Sequence, residues 1–296
     1  MLGLTLTTGN AFATSSDESI LVLGRVSNNP EAHFDRLQPL LDYVVERMAG
    51  VGIKEGRILM ARDRQAMLSY LRQGRVDWVT ETTGGAIRMI DRGQAEPLLR
   101  TWRGGSPTYY GLFVARKDSQ ISGLDDLLGR SIGFEHPMST SGYMLPAGML
   151  LEAGLPLAIM LSPLDQPSPD FVGYAFTDDA LNSITWVHKR IVDVAAISDQ
   201  DWARHVESVP EYADDLTVFA RSEPTPRGLE LVRSGIKPAV RARLREVLLA
   251  VGDDPAAASA LANYFGTTRF SDADDALFEQ IEPLRQMIGR VRDELE

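Results

Sequence analysis

The chain has 296 residues, 44% hydrophobic and 24% charged, which supports a folded core and excludes disorder as the default. Its 41 acidic and 30 basic side chains leave a net charge of -11, which argues against nucleic acid or anionic membrane as a partner. It contains no cysteine and only four scattered histidines, so disulfides, thiolate metal sites and a cysteine nucleophile are excluded and no i,i+4 histidine pair offers a grip for zinc.

In chain order, residues 2–8 are mildly apolar, and Ala11-Phe12-Ala13 has the small-x-small form of a signal-peptidase site. Residues 1–18 therefore read as a secretory signal segment truncated at its positive end. Ile20-Leu21-Val22-Leu23 before Gly24 predicts a buried first strand of a parallel sheet. The three- and four-residue steps of Phe34, Leu37, Leu40, Leu41, Val44, Val45 and Met48 predict a helix stopped by Gly50 and Gly52. Strands are expected over 57–60 and 76–79, with helices over 66–73 and 85–92. Tyr109-Tyr110-Gly111-Leu112-Phe113-Val114-Ala115 is one long β-type run. Beyond it come a helix at 124–128, strands at 131–134, 192–196 and 216–220, and helices over 142–153, 237–251 and 276–295. No internal repeat or membrane-length apolar run interrupts this order. Strand–helix alternation of this kind is the signature of an open α/β sheet, whose ligands sit beyond the carboxyl ends of the strands.

After the strand ending at Phe134 the chain reads Glu135-His136-Pro137-Met138-Ser139-Thr140-Ser141-Gly142-Tyr143. Three hydroxyls and a glycine between a strand and a helix can aim side-chain O–H groups and unpaired backbone N–H groups at one point, which suits a tetrahedral anion. An ordinary N-cap with two further loop residues would have the same sequence. The only nearby nucleophile–base combination is Ser139 or Ser141 with His136. The Gly-x-Ser-x-Gly turn of hydrolases and a Walker-type Gly-Lys-Ser/Thr are both absent. The residues thus read as binding without catalysis.

Lys117-Asp118-Ser119, Gly123-Leu124-Asp125-Asp126-Leu127, Pro137, and Ser139-Thr140-Ser141-Gly142-Tyr143 with Pro146 resemble the phosphate/phosphite/phosphonate-binding proteins of ABC transporters. The likeness runs from about Ile20 to Arg245 and takes in Pro39-Leu40-Leu41-Asp42-Tyr43, Val76-Asp77-Trp78 and Val192-Asp193-Val194-Ala195. It implies an α/β, two-lobed periplasmic binding protein of type 2, each lobe a mainly parallel sheet flanked by helices, with two crossing strands as hinge. Lobe 1 would comprise 19–111 and 221–296, and lobe 2 would comprise 112–220. The resemblance further implies a periplasmic, monomeric protein that uses no cofactor or metal and delivers a small oxyanion to a membrane permease. Ser139, Thr140 and Ser141 would hold the phosphonate oxygens, with Tyr109 and Tyr110 contributing aromatic contacts.

One departure bears on the ligand. Glu81 stands where phosphonate-binding members often carry a tyrosine, and a dry carboxylate repels a dianion. Glu81 could pair with the ammonium of an aminoalkylphosphonate, with Thr82 as a neighbouring candidate contact, or Glu81 could cap the next helix or pair with Arg25 or Arg88. Arg25 offers a forked guanidinium to an anion, and Asp178 and Ser198 are candidate contacts from lobe 2. A ligand-binding domain of a sensor or chemoreceptor, or a binder of another small anion or zwitterion, would use the same pocket.

Overall fold

Strands and helices alternate in the computed structural model, which describes residues 18–27 and 29–295. The expected signal segment lies, apart from Glu18, outside the described residues. The chain begins β1 (Ile20–Val26), α1 (Pro30–Glu46), β2 (Glu55–Ala61), α2 (Arg64–Arg72), β3 (Trp78–Thr82), α3 (Thr83–Asp91) and β4 (Ala95–Arg103). It continues β5 (Thr108–Tyr109), β6 (Gly111–Arg116), β7 (Ser131–Phe134), α4 (Leu145–Glu152), β8 (Leu157–Ile159), β9 (Val172–Phe176), α5 (Ala180–His188) and β10 (Val194–Ser198). The remainder is α6 (Asp199–Ser208), α7 (Glu211–Asp215), β11 (Leu216–Arg221), β12 (Thr225–Pro226), β13 (Gly228–Arg233), α8 (Pro238–Ala250), α9 (Ala258–Asn263), β14 (Thr267–Asp272) and α10 (Asp275–Leu295).

Two six-stranded sheets result, ordered β14-β4-β13-β3-β1-β2 and β11-β6-β10-β7-β9-β8. β1 is parallel to β2 and β3, and β7 is parallel to β9 and β10, while β13 and β6 enter their sheets antiparallel. The chain crosses between the sheets twice. The crossings meet as a two-stranded ladder in which Thr225 faces Tyr109 and Pro226 faces Thr108. The β-run expected from Tyr109 to Ala115 is therefore broken at Tyr110, with β5 in the crossing ladder and β6 in the second sheet. A period-two pattern cannot reveal that break, because both halves are extended.

Three further differences are local. The strand expected at 76–79 runs over Trp78–Thr82, so Glu81 and Thr82 end a strand and do not begin a loop. The helix expected at 124–128 is a single 3₁₀ turn over Leu124–Leu127. β4 was not anticipated because Pro97 and three charged residues obscure its apolar face, and β8, β9, β14, α5, α6, α7 and α9 were not anticipated either.

Buried side chains fall into three clusters. Leu37, Leu40, Leu41 and Val44 of α1 pack with Leu244 and Leu248 of α8 on one face of the first sheet, and Ile184 and Val187 of α5 cover the second sheet. The third cluster joins the sheets: Leu277, Ile281, Leu284, Ile288 and Val291 of α10 pack with Ala147 and Leu150 of α4 and with Ala86 and Ile87 of α3. Their i, i+4, i+7 spacing puts all five on one helix stripe. Gly148 permits the approach, since an added Cβ there would overlap Met287 of α10.

Candidate functional site

A cavity of about 660 Å³ opens where the carboxyl ends of strands from both sheets meet the crossing ladder. Arg25, Glu81, Thr82, Tyr109, Ser139, Thr140 and Ser141 all line it, as do Arg36, Arg103, Glu135, Asp179, Arg227 and Phe265. Tyr110, Asp178 and Ser198 do not. The Tyr110 N–H donates to Asp199 Oδ1 and its ring lies under Arg221, because the break in the β-run turns it away from its neighbour. Asp178 takes a left-handed φ of 73°, and Asp179 lines the cavity in its place. The Ser198 hydroxyl accepts from Asp201 N–H and donates to Asp201 Oδ2, which makes it the cap of α6.

Ser139 and Thr140 are tied into the protein. The Ser139 hydroxyl accepts from Gly142 N–H at 2.9 Å and donates to Glu135 Oε2. A π-type turn over Thr140–Met144 follows and runs into α4. Pro146 sits in the first turn of α4, where its missing N–H costs nothing. The Thr140 hydroxyl accepts from Gly84 N–H at 3.0 Å, linking the loop after β7 to the start of α3. Ser141 and Thr140 lie beside the Tyr109 hydroxyl, which is fully buried and lacks a well-formed hydrogen bond of its own. The run is thus both a helix cap and a cluster of hydroxyls facing the cavity.

Glu135, which sequence reasoning passed over, is the acid of this cradle. Burial pushes its carboxyl up to about 7, the Ser139 hydrogen bond and Arg227 oppose that shift, and Asp201 and Asp179 add to it. A protonated Glu135 is compatible with a neighbouring anion where an ionised one would repel it. The folded protein holds this proton above the range in which an unfolded glutamate releases it, so stability falls as pH rises between about 4.5 and 7. Glu135→Gln is expected to flatten that part of the thermal-midpoint profile, read by calorimetric scans from pH 4 to 8. An unchanged slope would mean that Glu135 does not hold the proton.

Glu81, at the end of β3, turns back on its neighbour: Oε1 accepts from Thr82 N–H at 2.8 Å and from the Thr82 hydroxyl at 3.3 Å. Gly85 leaves room for this, since an added Cβ would lie 2.5 Å from Glu81 Cγ.

Behind the cavity lies a buried polar knot. Glu230 on β13, 0% exposed, accepts from Trp78 Nε1 at 2.6 Å, Thr80 Oγ1 at 2.9 Å, Thr101 Oγ1 at 3.1 Å and the Tyr264 hydroxyl at 2.9 Å. These four bonds tie β3, β4 and the loop after α9 to one side chain. That loop carries Phe265, whose left-handed φ of 55° is unusual for a bulky residue. The Arg25, Arg103 and Arg36 guanidiniums lie 4.3, 5.0 and 5.6 Å from the Phe265 ring centroid, and Arg227 lies 4.5 Å from that of Tyr109.

A family model described as the ABC transporter, phosphonate, periplasmic substrate-binding protein matches residues 26–278. The chain belongs to this family. It is also 23% identical over 248 residues to the phosphonates-binding periplasmic protein of Escherichia coli, covering 82% of this chain and 68% of that one. Among solved structures, XAC2383 from Xanthomonas citri, seen bound to chloride and separately to ATP, is 45% identical over 94% of this chain and all of that one, with TM-scores of 0.90 and 0.89. PhnD1 from Prochlorococcus marinus in complex with methylphosphonate, 16% identical over 94% of this chain and all of that one at a TM-score of 0.73, shares the fold. Phosphonate-family proteins are substrate-binding components of ABC importers and not enzymes; they work in the periplasm, bind small ligands and meet a membrane permease. No helix among the described residues is long and apolar enough to cross a membrane.

Proposed function

We propose that this phosphonate-family protein captures a phosphorus oxyanion at Ser139, Thr140 and Ser141 and delivers it to an ABC importer. The observation that carries the reading is the placement of three hydroxyls and the start of a helical segment on the wall of a cavity, beside Tyr109 and Arg227. Hydroxyls and first-turn N–H groups supply short-range donors that need no net positive charge on the protein, so a chain of -11 can still hold an anion. The relative seen with chloride and with ATP supports an anion-accepting, phosphate-compatible pocket.

The narrower idea of an aminoalkylphosphonate rests on Glu81 as partner of the ammonium, and the hydrogen bonds of Glu81 to Thr82 favour a local role in holding the β3–α3 junction. Titration calorimetry against phosphate, phosphite, methylphosphonate, 2-aminoethylphosphonate and sulfate tests both points. The expected result is micromolar or tighter binding of at least one phosphorus oxyanion, on the order of 8 kcal/mol, with sulfate weaker. Glu81→Gln should shift the methylphosphonate and 2-aminoethylphosphonate affinities equally. A loss confined to the amino ligand would establish the ammonium pairing, and no binding of any phosphorus oxyanion at millimolar concentration would sink the capture reading.

A further inference from the structure

Four guanidinium groups face the cavity from the first sheet, α1 and the crossing without an ion pair. Arg25 Nη1 donates to the Thr80 carbonyl at 3.1 Å, and Arg227 Nε donates to Gln200 Oε1 at 3.0 Å, both neutral acceptors. Arg103 is 5% exposed, and its Nε and Nη2 are buried without a hydrogen-bond partner, as is Nε of Arg25. Arg36 stands exposed at the mouth, over the same Phe265 ring. Among the described residues none of the four forms an ion pair, whereas Arg204 on the opposite wall is paired with Asp201. Glu230 acts on Arg103 from below, and its four hydrogen bonds to neutral donors hold it beneath the cavity wall.

Such an arrangement is costly unless something completes it. A buried guanidinium without a counter-charge is penalised by several kcal/mol, and here several crowd one ring. The field is visible at His33, which hydrogen-bonds Ser27 at 2.7 Å: burial, then Arg25, Arg36 and Arg103, push its imidazole down to about 4. Arg103 itself is driven down to about 9 by burial and by Arg227 and Arg25, and stays cationic at neutral pH. The Glu230 knot anchors Tyr264 beside Phe265, whose ring underlies Arg25 and Arg103, so the buried part of the wall is built into the fold. A cavity of about 660 Å³ also has room for far more than one tetrahedral anion.

We propose that Arg25, Arg36, Arg103 and Arg227 form a second anion subsite facing the cavity shared with Ser139–Ser141, so that the full ligand carries at least two phosphate-type groups. Planar guanidiniums with free N–H groups match phosphate oxygens in pairs, which a single phosphonate held by hydroxyls would leave unused. The inference rests on the reading of Ser139–Ser141 as the first oxyanion subsite.

The test compares methylphosphonate with inorganic diphosphate and tripolyphosphate, which offer the second group at increasing reach, by calorimetry at fixed ionic strength. At least one polyphosphate is expected to bind ten-fold or more tightly than methylphosphonate. That ratio should collapse at least ten-fold in Arg103→Gln and several-fold in Arg36→Gln, an exposed position where folding is not at stake. Bound polyphosphate should also raise the His33 titration midpoint, read by NMR, by a unit or more. Equal affinities in the wild type, or a ratio unmoved by both substitutions, overturns the second subsite while leaving the first reading intact. Polyphosphate binding that depends on Arg103 but not on Ser141, with no methylphosphonate binding, supports the second subsite and overturns the first. Absence of binding by every probe at millimolar concentration overturns both.

Discussion

Replacing Ser139, Thr140 and Ser141 together by alanine is expected to lower the affinity for a phosphorus oxyanion by at least a hundredfold. Hydrogen bonds to a charged group are worth about 1.5–3 kcal/mol each, so losing two or three of them exceeds the roughly 2.7 kcal/mol that a hundredfold change represents. The ligand-free protein should lose stability as well. Ser139 caps Gly142 N–H, which is worth about 1 kcal/mol, and Thr140 satisfies the buried Gly84 N–H, which without it would cost about 1–3 kcal/mol. The two roles are separated by Ser141→Ala, which leaves both of those bonds in place. That variant should keep the wild-type thermal midpoint and still bind at least tenfold more weakly, by paired calorimetric titration and scan. Wild-type affinity in Ser141→Ala, with the triple variant failing only through instability, would reduce the run to a cap.

Glu230→Ala is expected to have the largest effect on stability. Four buried donors, from Trp78, Thr80, Thr101 and Tyr264, would lose their acceptor, and Arg103 would lose its supporting negative charge. Removing one partner of such a network costs about 3–5 kcal/mol, a fall in thermal midpoint on the order of 10 °C for a chain of this size. Glu230→Gln should cost less, because its amide nitrogen can face the Thr80 and Thr101 hydroxyls, which can turn to accept, while its oxygen serves Trp78 and Tyr264. Thermal scans of the two variants check the order, and equal losses would show that charge outweighs donor satisfaction. The same knot anchors the loop bearing Phe265, so stability and the shape of the arginine wall are linked through one side chain.

The alternation of strands and helices was legible where a buried strand is a short apolar run, as at Ile20–Leu23, and where a helix repeats its apolar residues at three- and four-residue steps, as in α1 and α10, but not at β9, α5 or α6. The Ser139–Ser141 run stood out because three consecutive hydroxyls after a strand concentrate their signal in adjacent residues. Of the arginine wall, only Arg25 was legible. Arg25, Arg36, Arg103 and Arg227 come from β1, α1, β4 and the residue before β13, with no spacing to connect them, and only the meeting of the two crossings brings them to one cavity. Phe265 carries no pattern either. Glu230 did leave a trace, as an acid within the otherwise apolar run Gly228-Leu229-Glu230-Leu231-Val232, since a charge inside a buried strand demands partners. Tyr110 and Ser198 lie off the cavity wall because one sits at a break between extended segments, which residue type does not show, and the other caps a helix, as a serine before Asp199 and Asp201 can.

The most direct measurement is the crystal structure of the protein with methylphosphonate, with the phosphorus position read from the electron density. The proposed function predicts phosphonate oxygens within about 3 Å of the Ser139, Thr140 and Ser141 hydroxyls and of a backbone N–H in the turn that follows. A phosphonate held elsewhere in the cavity, with those hydroxyls engaged only with Gly142, Gly84 and Glu135, would contradict it.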